Sequence, residues 1–232
     1  MVVIELQKET KEVLNNTLLE ATSKGDLKEV MRCLDLGADV NTRITWDNSI
    51  LLETDKEQTD LEDYRLVGGT PLIWAAGEGH AKVVEALLEN EKADVNAKDI
   101  GVQTALIWAA KGGHADVVKV LLESGKIDVN AQDEYGDTAI VKAAREGHSQ
   151  VVKQLLENKE VNIHITDYKG KSALVWAAKR GYPDIIDLLA ERGADLNDIK
   201  KYRHNVFGYH FPEFIDTFRS LKKTFATTIK KK

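Results

Sequence analysis

Cysteine is almost absent from this chain: Cys33 stands alone. An internal disulfide is therefore excluded, and no thiolate spacing suits a zinc site. No apolar run approaches the length of a membrane span. Met1-Val-Val-Ile-Glu-Leu6 lacks a basic start followed by an apolar stretch, so a secretory signal is not expected. A reducing, cytoplasmic setting is the expectation; delivery into another cell by a route without a recognisable signal would leave the same sequence. Also missing are a phosphate-binding glycine loop, a nucleophile–base triad pattern and paired carboxylates with a placed base. The expectation is a protein that is not an enzyme, with no cofactor and no catalytic or metal site.

Net charge is −6, unevenly spread. Residues 200–232 hold nine Lys and Arg against Glu213 and Asp216, a charge of +7, which leaves −13 on residues 1–199. An acidic body thus carries a basic end.

What is abundant is repetition. Thr70-Pro-Leu-Ile-Trp-Ala-Ala-Gly-Glu-Gly-His80 returns at Thr104–His114, Thr138–His148 and Ser172–Tyr182, each 34 residues after the last. A constant step of this size marks stacked copies of one supersecondary unit. Such a stack offers a long shallow surface, better suited to binding a partner than to chemistry.

One unit can be read physically. Thr104 caps a helix start, its hydroxyl accepting an orphan backbone N–H. Leu106, Ala109 and Ala110 share a face, and the paired alanines let neighbouring helices approach closely. Gly112-Gly113 ends this short helix, since glycine accepts the left-handed conformation of a helix stop. Val117, Val118, Leu121 and Leu122 then form the buried stripe of a second helix. Asp128-Val-Asn-Ala-Gln-Asp133 and Glu134-Tyr-Gly136 read as an extended stretch and a tight turn. No unit has enough apolar surface to fold alone; stacking supplies its neighbours.

The Thr-Pro-Leu start, double alanine, Gly-His, Val-Val-x-x-Leu-Leu helix and Asp-Val-Asn-Ala before an Asp-x-x-Gly turn resemble the ankyrin repeat. The resemblance covers about residues 16–199. It implies an all-α solenoid of helix–turn–helix units with projecting β-hairpin loops, and a protein-binding role. We count five repeats in a domain spanning 1–199, followed by a basic C-terminal capping helix and tail over 200–232. Residues 1–16 are expected to cap the other end. The first unit matches through Leu18, Leu19, Ala21, Gly25-Asp26, Val30 and Gly37-Ala-Asp-Val-Asn41, then carries a long insertion at about 43–67. The family's His after Thr-Pro-Leu is Ile73, Ile107, Val141 and Val175 here, so apolar packing must replace its hydrogen bonds. In Asp99-Ile-Gly101-Val-Gln-Thr104 the glycine comes one place early, and His164 fills an Asn slot.

His80, His114 and His148 recur once per unit. Packed helices lie ~8–10 Å apart, whereas one metal needs its nitrogens at ~2 Å, so a structural Gly-His turn is expected. Trp74, Trp108 and Trp176 form a second register, broken by Lys142, which suggests that the slot borders solvent. These tryptophans either pack between units or line a binding face. The hairpin tips carry Ile100, Glu134-Tyr135 and Tyr168-Lys169. Cys33 fills a leucine slot as a small buried hydrophobe.

The expected activity is non-catalytic protein–protein recognition on the concave surface of hairpins and first helices. The residues expected to touch the partner are Trp46, Trp74, Trp108, Lys111, Tyr135, Arg145, Tyr168, Lys169 and Arg180. The insertion, with Trp46 and Glu53, Asp55, Glu57, Asp60, Glu62 and Asp63, reads either as an added contact or as a spacer. In the tail, Phe211, Phe214, Ile215, Phe218, Leu221 and Phe225 make one helical face, which caps the last unit or meets a membrane or partner. The partner is expected to be a protein, with no small-molecule substrate, no nucleic acid and no transmembrane segment, and the chain a monomer. Two other classes stay open: a secreted or regulatory effector using the basic amphipathic tail for membrane or nucleic-acid contact, and an enzyme with an unrecognised site.

Overall fold

The computed structural model describes residues 2–43 and 68–201, with side chains from 10 to 43 and from 68 to 199. The interior of the insertion, including Trp46, and the Phe-rich tail helix expected as a cap lie outside the described residues.

Eleven helices follow one another among the described residues. They are α1 (Val2–Ser23), α2 (Leu27–Asp35), α3 (Pro71–Gly77), α4 (Ala81–Glu89), α5 (Ala105–Gly112), α6 (Ala115–Glu123), α7 (Ala139–Glu146), α8 (Ser149–Glu157), α9 (Ala173–Arg180), α10 (Pro183–Glu191) and α11 (Asn197–Lys201). The first ten form five antiparallel pairs. First helices stack as α1, α3, α5, α7, α9, and second helices as α2, α4, α6, α8, α10.

Residues 2–23 form one continuous helix, so the segment expected as an N-terminal cap is an extension of the first helix of unit one. The run holds no glycine or proline to interrupt it.

Local chemistry sets each pair. Thr70, Thr104 and Ser172 accept from the backbone N–H of Ile73, Ile107 and Val175 at the starts of α3, α5 and α9. Gly113, Gly147 and Gly181 end α5, α7 and α9 at φ of +76°, +87° and +81°, where a side chain would be strained. Between the layers runs one continuous apolar core. Ile73, Ala75 and Ala76 of α3 pack with Val83, Val84 and Leu87 of α4, and later pairs repeat the pattern. Ile73, Ile107, Val141 and Val175 are buried, so apolar packing does fill the slot after Thr-Pro-Leu. Ile199 of α11 is buried as well, and α11 lies against α9 where the next first helix would stand.

Two polar ladders tie unit to unit. The Gly-His histidines are structural: Nε2 of His80, His114 and His148 lies 3.0, 2.8 and 3.0 Å from the carbonyls of Ser23, Gly77 and Lys111 in the preceding unit. A carbonyl only accepts, so each Nε2 donates. The second ladder uses asparagine. Asn41 donates to Lys92 O and accepts from Asp94 N; Asn96 and Asn130 repeat this with Lys126 and Asp128, then Glu160 and Asn162. His164 takes the next ladder position, where an exposed imidazole stands in place of the amide.

The projecting loops are a correction. No strand forms among the described residues, and only an isolated antiparallel bridge joins Thr166 and Ser172. Each loop is a turn closed by two backbone bonds: the N–H of Asp99, Asp133 or Asp167 donates to the carbonyl four residues on, and the N–H of Val102, Gly136 or Gly170 donates to the aspartate's own carbonyl. The loops are too short for a ladder, and the aspartate carboxylates do the rest.

Candidate protein-binding face

Asp99, Asp133 and Asp167 organise the tips, and all three are buried. One carboxylate oxygen, Oδ1, accepts from the N–H of Gln103, Asp137 and Lys171, four residues on, at 2.8–2.9 Å. In the later two loops it also accepts from Tyr135 N and Lys169 N. The other oxygen, Oδ2, reaches the residue nine places on: Trp108 Nε1 at 2.7 Å, Lys142 Nζ at 2.7 Å and Trp176 Nε1 at 3.0 Å. Burial pushes the Asp99 carboxyl above its usual range; the bonds from Gln103, Trp108 and Gly101 pull it back, and Glu134 adds to the rise. In sequence Asp99 and Asp133 read only as turn residues; the signal that marks all three aspartates is their nine-residue spacing to the Trp register.

That geometry explains the tryptophans. Trp108 is 9% exposed and committed to Asp99, with Lys111 Nζ 4.7 Å from its ring centroid. Trp108 therefore presents little surface to a partner. Trp176 is half-buried, and three cations crowd its ring: Arg145 at 4.1 Å, Lys179 at 4.9 Å and Lys171 at 5.0 Å. Trp74 is half-buried too, but its Nε1 has no hydrogen-bond partner among the described residues. Nine places before it stands Arg65 rather than an aspartate.

Lys142 corrects another expectation. Its place in the register does not border solvent: the residue is 7% exposed. Nζ lies 2.7 Å from Asp133 Oδ2 and 2.9 Å from Asp137 Oδ2. Arg145 reaches Asp137 Oδ1 at 2.6 Å and Asp167 Oδ2 at 3.6 Å. Two cations and three carboxylates thus bridge units under the loops, and two paired carboxylates make burial of the ammonium tolerable.

At the tips, Tyr135 and Tyr168 are 58% and 75% exposed. Tyr168 N donates to Tyr135 O at 3.0 Å, so successive tips are tied together. Tyr168 also covers Gly136: a Cβ there would meet its ring at 2.8 Å. Lys142 Nζ sits 5.5 Å from the Tyr135 ring. The early glycine in the preceding loop has a cost: Val102 takes φ +60°, where Gly68, Gly136 and Gly170 stand in the neighbouring units at φ of +79°, +79° and +73°. Lys169 and Arg180 are exposed, on the tip and at the end of α9. Arg43 donates to Gly68 O at 2.6 Å and Lys98 O at 2.7 Å, which holds residue 43 beside residue 68 across the insertion. Cys33 is buried, as expected, and burial raises its thiol pKa.

The tips and first helices make one polar-aromatic strip on a scaffold of stacked helix pairs, and that arrangement is a repeat solenoid. A family model described as ankyrin repeats (3 copies) matches residues 18–133 and 125–200. The chain belongs to the ankyrin-repeat family, whose repeats are typically protein–protein interaction modules and generally not catalytic. No curated protein matches the chain. Among the described residues, no helix is long and apolar enough to cross a membrane.

Proposed function

We propose that this protein is a non-catalytic recognition module that holds a protein partner along its hairpin tips and first helices. Tyr135 and Tyr168 carry the reading: two exposed aromatics on adjacent tips, fixed by Asp133 and Asp167 and by a bond between the tips. Large aromatics on rigid supports make effective contacts because little side-chain freedom is lost on binding. Trp74 supplies half-buried aromatic surface, and Lys111, Arg145, Lys169 and Arg180 supply charge; Trp108 supports the strip from beneath. Trp46 extends the contact if the insertion takes part.

The test is binding by a Tyr135→Ala/Tyr168→Ala chain to a partner captured with the intact chain. The tips contribute little to the core, so the melt should not move. Affinity should fall by at least about thirtyfold, the equivalent of ~2 kcal/mol for an anchor aromatic. Undiminished binding by the double variant, with binding lost on changing the outer helices or the basic tail, would refute this assignment.

A further inference from the structure

Around Trp176 the sign of the protein reverses. Residues 1–199 carry −13 in all. Yet Lys169, Lys171, Lys179 and Arg180 make no ion pair with any carboxylate among the described residues, and Arg145 adjoins them with its own charge answered by Asp137 and Asp167. Lys171 and Lys179 both approach the Trp176 ring, within 5.0 Å of its centroid.

We infer that this cationic rim around the half-buried Trp176 receives an acidic segment of the partner protein, a short run of Asp and Glu side chains. The inference rests on the recognition reading above and names the partner's chemistry. The Lys179 ammonium is held below its ordinary pKa, first by desolvation and then by the like charges of Lys171, Arg180, Lys169 and Arg145. An incoming carboxylate would relieve that repulsion. Trp176 adds an apolar floor to which the cations are already attracted. A protein segment fits better than a nucleic acid or an anionic membrane, because charges are screened beyond ~8 Å at physiological salt. A short acidic run can meet the rim alone, whereas a long polyanion or a charged sheet must also face the acidic remainder of the array.

The probe is a fluorescein-labelled oligoglutamate titrated into the full chain, with anisotropy as the readout. Binding should weaken steeply as salt rises. Lys171→Gln/Lys179→Gln/Arg180→Gln should lower affinity at least about tenfold and flatten the salt dependence, with an unchanged melt. Lys222→Gln/Lys223→Gln in the tail should leave binding as it was. The inference is overturned if the rim variant binds like the parent, if only the tail variant loses binding, or if oligouridylate or phosphatidylserine vesicles bind the rim as tightly as the peptide. Tyr135→Ala/Tyr168→Ala separates the two readings. A rim variant that still binds oligoglutamate, beside a tyrosine variant that still loses the captured partner, removes the acidic segment and leaves the tip assignment standing.

Discussion

Replacing Lys142 by Met keeps a long apolar stem in α7 and removes only the ammonium. The change leaves Asp133 and Asp137, both buried, without the cation now 2.7 and 2.9 Å from them. Arg145 cannot compensate: it already serves Asp137 and reaches Asp167 at 3.6 Å. Breaking a buried ion set by removing one partner costs about 3–5 kcal/mol, mostly as the penalty of an uncompensated charge. The lesion lies in an inner unit, with α7 packed between α5 and α9. In a stack whose units support their neighbours, such a loss should shift the main unfolding transition rather than fray an end. Urea denaturation followed by far-UV circular dichroism would read it as a lower midpoint.

A companion chain identifies the cause. Asp133→Asn and Asp137→Asn added to Lys142→Met remove that ammonium and both its carboxylates together and leave Arg145 beside Asp167, and each new amide keeps an oxygen for the loop bonds that Asp133 Oδ1 accepts and for the Arg145 contact of Asp137. Part of the lost stability should return, because no uncompensated carboxylate then faces the place of the ammonium. If Lys142→Met alone lies within ~1 kcal/mol of the parent, the size expected of an exposed ion pair, the argument from burial is refuted.

Two further outcomes follow from the geometry. Val102→Gly should stabilise the protein by about 1 kcal/mol, because a β-branched residue at φ +60° is strained by ~1–3 kcal/mol and glycine's greater unfolded-state entropy offsets only part of that gain; an equal or lower denaturation midpoint would contradict it. Asp187 on α10 has its pKa raised by burial and by Asp184 and Glu191, so the folded state holds its proton more tightly than the unfolded chain does. The charged form therefore costs stability at neutral pH, and that cost disappears as pH falls through the raised pKa; Asp187→Asn should stabilise by about 0.5 kcal/mol near neutrality and by nothing in acid, and a gain independent of pH would refute this cause.

The stack was legible because its signals are local and repeated. Thr104, Ala109-Ala110, Gly113 and Val117-Val118 each follow from capping, close approach, left-handed termination or a buried stripe, and the constant step multiplies them. The Gly-His assignment also came from spacing alone. The face was harder to read. Trp74, Trp108 and Trp176 look alike in sequence, but only the latter two have an aspartate nine residues earlier that binds the indole, and even between those two exposure differs. Lys142 looked like an interruption open to water for the same reason, since a charge reads as exposed until its carboxylates are placed. The continuity of α1 through residue 16 was not legible because the repeat resemblance begins only there and residues 2–15 match no other unit.

The slot nine residues after the loop aspartate links fold to recognition. Filled by Trp108, it closes the loop with an indole bond and buries the ring. Lys142 closes it with an ion pair and draws Asp137 and Arg145 into the bridge. At Trp176 the indole bond remains, but the ring stays half-buried and cations gather on it. All three reach the same carboxylate oxygen, so one loop geometry accommodates side chains of different charge and polarity. From α5 to α9 the slot thus runs from a buried aromatic, through an ion-paired cluster, to a half-buried aromatic ringed by cations, so neighbouring units that share one loop geometry differ in the charge they carry beneath it.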